Sequence, residues 1–294
     1  MKVGSLFSGI GGFDLGLVRA GMEIVFQVEI DEFCRKVLAK HAPEYWPNAE
    51  RFNDVKEVGK HNLKPVDLIC GGFPCQDLSV GWNGKGLDGE RSGLWFEYCR
   101  IIGELKPRWI IIENVPGLLS SNGGRDFTIV LQGLAKWGYN AAWRVLDAQY
   151  FGVPQKRKRV FIIASLGNGD CARVLFEEEP NRYDIEQTRN TNSTPVYAYK
   201  KRGGFGWSES EEIALTLESQ SGVHTGGNDT IPLLFTDDLP RWATPLECER
   251  IAGFPDNFTD INSKTYRYRH LGNAVVSQIV EILGRCIMEI ENDT

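Results

Sequence analysis

The chain has 294 residues, 42% of them hydrophobic and 24% charged, proportions of an ordinary globular protein that holds one α/β domain or a large domain with a small one. These figures exclude a mostly disordered chain, a collagen-like repeat and a disulfide miniprotein. A formal net charge of −6 argues mildly against a nucleic-acid binder, yet binding needs only a local basic face.

The seven cysteines include no Cys-x-x-Cys pair, and only four histidines accompany them. The expectation is a reduced, cytoplasmic protein with no metal site. No run approaches eighteen apolar residues, so no membrane span is expected. The strand-like start MKVGSLF leaves no room for a signal peptide.

In chain order, MKVGSLF reads as a strand and GGFDLGLVRAG as a helix ending at Gly21. MEIVFQVEI is a strand, DEFCRKVLAKHAP a helix up to Pro43, VDLICGGF a strand and SGLWFEYCRIIGELKP a helix stopped by Pro107. RWIIIENV is a buried strand, FTIVLQGLAKWG a helix, and YNAAWRVLDA and RVFIIASL two further strands. Ile- and Val-rich strands alternating with helices predict a doubly wound, mostly parallel α/β sheet covered on both faces. Such sheets bind ligands beyond the carboxyl ends of their strands.

The character changes near Gly167. From there to about Pro240 the chain is polar, with weak strand patterns in PVYAY, EIALTL and TIPLLF. That is too long for an ordinary loop and predicts a small separate region or a functional insertion. Patterning resumes at TPLECERIAGF, a helix with Thr244 as N-cap, Pro245 at its first position and Glu247 completing a capping box. NAVVSQIVEILGRCIMEI is a periodic helix expected to pack back on the sheet.

Several residues carry chemistry. Gly9, Gly11 and Gly12 lie between the first strand and helix, where backbone amides can approach a ligand. A dinucleotide fingerprint needs a glycine where Asp14 stands, so a tight structural turn is a serious alternative. Glu29, ending the second strand, sits where such folds bind ribose hydroxyls, and Asp54 where an adenine amino group might be read. Together they suggest an adenosine-containing cofactor.

Cys75 follows a strand and a glycine pair, between Pro74 and Gln76. A lone cysteine is more often inert, but this one lies on a polar loop at the ligand-binding edge, where a thiolate would be a good nucleophile. The other six cysteines are assigned to packing. Glu113 emerges from an apolar strand at the same edge, a setting that raises a carboxyl pKa toward neutral; a hydrogen-bonded structural acid explains it nearly as well. Arg157 and Arg159, one residue apart before a strand, share a face of extended chain and could grip a phosphate or carboxylate. The runs Lys156–Arg159, Lys200–Arg202 and Arg267–His270 cluster the basic residues; for the last two a solvated surface is the simpler account.

With these pieces in order, the sequence strongly resembles the DNA cytosine-5 methyltransferases of the short bacterial and phage kind. The resemblance covers nearly the whole chain: FSGIGGF, Glu29, Asp54, Pro74–Gln76, Glu113–Val115, Gln155–Arg159, the stretch RWATPLECERIAGFPD from Arg241, and Gly272–Val275. Ala243 and Ala252 depart from the family's usual leucine and glutamine, both away from the chemistry.

The resemblance implies an S-adenosylmethionine-binding catalytic domain, placed at 1–168 and completed by 265–294, with a small, strand-rich target-recognition domain at 169–264. It implies double-stranded DNA as substrate, S-adenosylmethionine as cofactor, S-adenosylhomocysteine as product, and a compact monomer. Cys75 would attack C6 of a flipped-out cytosine, Glu113 would meet N3, Arg159 would hold O2, and Arg157 would support the loop and phosphate contacts. Phe7, Gly9, Gly11, Gly12, Glu29, Asp54, Pro74 and Asn273 would hold the cofactor. Gln76, Ser79, Thr216 and Phe205 would face DNA.

Three rivals remain. A tRNA cytosine-5 methyltransferase on the same scaffold would carry a Cys-Phe-Thr signature, absent here. An inactive DNA-binding relative would not need the intact thiol and carboxylate. A nucleotide-dependent oxidoreductase is disfavoured by Asp14.

Overall fold

The computed structural model describes residues 1–74, 93–167, 169–176, 217 and 242–293, with the backbone of short strands at 200–201, 207–208, 214–215, 233–235 and 240–241. Seven strands form the central sheet: β1 (Lys2–Leu6), β2 (Glu23–Val28), β3 (Glu50–Phe52), β4 (Leu68–Gly71), β5 (Trp109–Asn114), β6 (Tyr139–Asp147) and, after the two-residue β7 (Gln155–Lys156), β8 (Lys158–Leu166). Their order is β3-β2-β1-β4-β5-β8-β6. All neighbours run parallel except β8, which is antiparallel to both β5 and β6.

Trp109 to Ile112 are fully buried, and alternate residues serve opposite faces. Trp109 and Ile111 join one core cluster, Ile110 and Ile112 the other. This is why the strand reads as an unbroken apolar run. Helices α1 (Gly12–Arg19), α2 (Glu32–Tyr45) and α8 (Ser277–Asn292) contribute to the first cluster, α3 (Gly93–Leu105) and α4 (Arg125–Lys136) to the second. The doubly wound sheet expected from the sequence is therefore present.

Several boundaries shift. Helix α2 runs on to Tyr45 with Pro43 in its last turn. The helix expected from Asn273 starts later: Asn273 ends a separate helix, α7 (Lys264–Asn273), Ala274–Val276 is extended, and α8 starts at Ser277. The break follows from what the backbone must do. The carbonyls of Gly272 and Ala274 turn to the Arg157 guanidinium, and Val275 O lies where any side chain on Gly12 would meet it at 2.6 Å. Beyond the break, α8 lies along α1 so closely that a Cβ on Gly16 would fall 2.5 Å from Ser277 O.

Residues 264–292 contain a window of mean hydropathy 1.3, which by length and composition could cross a membrane; the sequence reading passed over it. Within it, Ile279, Val280, Leu283, Cys286, Ile287 and Ile290 are buried in the core.

The main core also reaches into the segment assigned to the small domain. Helix α5 (Cys171–Phe176) contributes Cys171, Val174 and Leu175, and Ala243, Cys248, Ile251, Phe254 and Phe258 join the same cluster. Helix α6 (Pro245–Ile251) begins with the expected capping box: the Thr244 hydroxyl accepts from Glu247 N, and the Glu247 carboxylate accepts from Thr244 N. The packing thus draws both flanks of 169–264 into the large unit.

Asp14, the residue that breaks the dinucleotide fingerprint, is wholly buried. It accepts from Ser5 Oγ at 2.9 Å and Gln27 Nε2 at 2.6 Å, tying β1, α1 and β2 together. Burial pushes its carboxyl up to about 6, against the pull of those two hydrogen bonds. Because the folded state holds this proton more tightly than the unfolded chain, stability falls as pH rises from about 4 through 6, by about 3 kcal/mol in all. Asp14→Asn keeps both partners without the buried charge. Denaturant unfolding at pH 8 is expected to show it more stable than the parent by about 1–3 kcal/mol, with the gain vanishing at pH 4; a loss at pH 8 would contradict this account.

Candidate active site

The carboxyl ends of β1, β2, β4 and β5 open on one cleft of about 670 Å³, within the range of small-molecule sites. On one side the chain leaves β1 through Phe7, whose φ of 53° is unusual for a side-chain-bearing residue. Its ring stacks with Tyr98 at 6.2 Å while still lining the cleft. Gly9 and Gly12 line it too, at the N-terminal end of α1. Gly11, with φ of 89°, does not; its Cα faces Trp46 and Leu38, so it serves the turn.

Glu29 is fastened by both oxygens. Oε2 accepts from Gly9 N at 2.7 Å and Oε1 from Asp31 N at 2.8 Å. Burial raises its pKa, and the two amide bonds oppose the shift. Asp54 caps the short turn Val55–Glu57 by accepting from Lys56 N at 2.9 Å. Asp54, Pro74 and Asn273 complete this side. Ile30 adds an apolar wall with 70% exposure, which sequence reasoning missed although it adjoins Glu29.

On the other side stand Glu113 and Arg159. Antiparallel β8 sets Glu113 opposite Phe161, two residues from Arg159. The Arg159 Nε lies 2.9 Å from Glu113 Oε1, with side chains 16% and 12% exposed. Burial pushes the Glu113 carboxyl above its ordinary range, and Arg159 and then Arg157 pull it part of the way back. Gly72 makes room, since a Cβ there would lie 3.0 Å from Glu113 Oε2. Asn114 donates to Phe73 O at 3.0 Å, anchoring the backbone that leads to Pro74.

Arg157 also borders the cleft, but its guanidinium is committed elsewhere. At 2% exposure it donates to the carbonyls of Gly272 (3.0 Å), Ala274 (2.8 Å) and Leu217 (3.3 Å). In place of the expected grip on phosphate or carboxylate, it clamps three carbonyls on two backbone segments. Burial pushes the thiols of Cys34, Cys70, Cys99 and Cys248 upward. Cys75, Gln76, Ser79, Phe205 and Thr216 lie outside the described residues.

A wider groove of about 1150 Å³ adjoins the cleft beyond Pro116, and is lined by Arg144, Tyr150, Lys156 and Lys158 among others. Its lining combines basic side chains, an exposed aromatic ring and Asp147; among the described residues it holds no buried acid–guanidinium pair of the Glu113–Arg159 kind.

Arg157→Ala would leave three carbonyls without their donor. Unfolding by denaturant is expected to show a loss of about 2–4 kcal/mol, with Arg157→Lys recovering part of it because one ammonium cannot span all three acceptors. Equal losses for the two variants would show that the fork geometry is irrelevant.

The C-5 cytosine-specific DNA methylase family matches residues 1–195 and 177–289. The type II methyltransferase M2.BsuMI of Bacillus subtilis is 33% identical over 299 residues, covering 97% of this chain and 74% of that protein. M.HhaI of Haemophilus parahaemolyticus is 28% identical over 312 residues, covering 95% and 91%. Among solved structures, the S. pombe Dnmt2 methyltransferase superposes with a TM-score of 0.71 at 19% identity over 99% of both chains. A putative DNA modification methyltransferase encoded within an E. coli prophage gives 0.69 at 21%, again over 99% of each; these two likenesses speak to the fold. The chain belongs to the C-5 cytosine-specific DNA methylase family, the DNA (cytosine-5-)-methyltransferases.

Proposed function

We propose that this chain methylates C5 of a cytosine flipped out of double-stranded DNA, with Cys75 as the nucleophile that attacks C6. The observation that carries this reading is the Glu113–Arg159 pair, a buried acid with raised pKa held 2.9 Å from a guanidinium at the sheet edge. Cytosine C5 is a weak nucleophile. Addition of a thiolate at C6 makes it enamine-like, provided the charge that develops on the ring is met. A protonated Glu113 donates to N3, and Arg159 donates to O2. Neither contact can form inside a stacked duplex, so the base must leave it.

The opposite side of the cleft fits S-adenosylmethionine. Glu29 offers carboxylate lone pairs for ribose hydroxyls, Asp54 an acceptor for an adenine amino group, and Phe7 and Ile30 apolar surface. Gly12 brings the N-terminal end of α1 against the wall formed by Val275. The bound cofactor would supply an electrophilic methyl group for C5; loss of the C5 proton then breaks the Cys75–C6 bond and frees the thiolate. Lys156, Lys158 and Arg144 in the adjoining groove suit duplex phosphates, and the segment 169–264 would supply target recognition, with Thr216 and Phe205 meeting DNA.

The test is base-resolution 5-methylcytosine sequencing of DNA from a methylation-free bacterial host expressing the chain. Methylation at one short motif is expected, lost in Cys75→Ser. Glu113→Gln should retain binding and lose about 10²–10⁴-fold in rate. With Glu113 acting as a proton donor, the parent rate falls as pH climbs through its raised pKa, and Glu113→Gln lacks that limb. An unmethylated genome despite soluble, cofactor-binding protein would overturn the proposal.

A further inference from the structure

At the wall of the cleft, beside the proposed cofactor residues, Asp31, Cys34 and His270 bring a carboxylate oxygen, a thiol sulfur and an imidazole nitrogen within 4.8 Å of one another. Two of them sit at the start of α2. Asp31 is its N-cap, and its Oδ1 accepts from Phe33 N and Cys34 N at 2.8 and 3.1 Å, which holds the carboxylate in place. The third comes from the last turn of α7, far along the chain.

His270 is the independent sign of a ligand. It is 4% exposed, and among the described residues neither ring nitrogen has a hydrogen-bond partner. Its Nε2 lies 3.6 Å from Asp31 Oδ1, beyond the ordinary hydrogen-bond range. A buried imidazole without partners costs free energy that a native structure normally recovers. The ring is not free to seek partners elsewhere. Tyr266 and Phe33 stack on each other with centroids 3.6 Å apart, and Tyr266 packs against the imidazole at 6.0 Å.

We propose that Asp31, Cys34 and His270 bind a zinc ion, with a water from the cleft as fourth ligand. One sulfur, one nitrogen and one oxygen donor make a borderline-soft set suited to zinc, and three protein ligands with an open position is a recognised arrangement for it. The ion deprotonates the thiol on binding, so Cys34 enters as thiolate and its proton leaves to solvent. Arg35 and Arg269 also reach this neighbourhood. Arg35 is turned onto the carbonyls of Glu29 and Ile30, and the anionic Glu29 and Asp31 offset the added charge. The ion would fasten α2 to α7, the two elements on the cofactor side of the cleft that follow Glu29 and carry Asn273. Counting short-range cysteine and histidine spacings cannot find such a site, because its ligands are assembled by the fold.

Cobalt(II) is the probe, because tetrahedral cobalt gives visible bands and a thiolate charge-transfer band. The full chain, stripped with chelator and dialysed, is titrated with cobalt and then with zinc. One equivalent of cobalt with a thiolate band, displaced by zinc, is expected. Cys34→Ala should abolish the thiolate band, His270→Gln should weaken uptake at least tenfold, and Cys75→Ala should leave both unchanged. Zinc should also raise the Tm of the parent and not of His270→Gln. Absence of a stoichiometric thiolate band in the parent overturns the proposal by itself, whatever the variants do. Persistence of the band in Cys34→Ala, or its loss in Cys75→Ala, overturns it equally.

Discussion

The reversed strand β8 is the constraint on which the site depends. Inserted antiparallel between β5 and β6, it delivers its first residues, not its last, to the carboxyl edge of an otherwise parallel sheet. The basic run Lys156–Arg159 therefore arrives where Glu113 leaves β5. Register matters as much as direction. A slip of one residue would turn Arg159 to the opposite face of the sheet. Two features pin the register: the isoleucine pairs Ile111–Ile163 and Ile112–Ile162, and the continuation of pairing along all of β6.

Placing charge at this edge is expensive, and the structure shows how the cost is contained. Several buried ionisable groups near the sheet are each held by more than one partner. Arg157 spreads over three carbonyls, Glu29 over two amides, and Asp14 over a hydroxyl and an amide. Glu249, wholly buried in α6, accepts from the backbone of Asn257 and Thr259 and pairs with Arg267 at 2.9 Å. Glu113 by contrast has one ion pair, and its pKa is still displaced upward by burial. An incompletely compensated carboxyl in a cleft is the pattern that marks groups poised for proton transfer.

Much of this was legible from the residues. Unbroken Ile and Val runs announced a sheet covered on both faces, and Thr244–Glu247 announced a helix start, because both are local consequences of burial and capping. Glu29 and Glu113 were legible because each ends an apolar strand. What escaped had partners distant in the chain. Arg157 reads as a ligand-gripping cation until the carbonyls of Gly272 and Ala274 are found in front of it. Asp14 reads as a failed glycine until Ser5 and Gln27 close around it. The break at Ala274–Val276 escaped because apolar periodicity runs through it undisturbed, while the reason for it lies at Gly12 and Arg157.

That meeting of Gly12 with Val275 has a consequence for the order of events during synthesis. One wall of the cleft emerges from the ribosome long before the facing wall. The nascent chain can close β1, α1 and β2 around Asp14 early, yet cannot enclose a cofactor until residues 272–275 are released and α8 has docked along α1. Loop closure across so long a span is slow relative to local contacts. Closure of the cleft is thereby deferred until residues 272–275 have been made, so a product truncated before them would keep Glu113 and Arg159 yet lack the wall that Val275 forms.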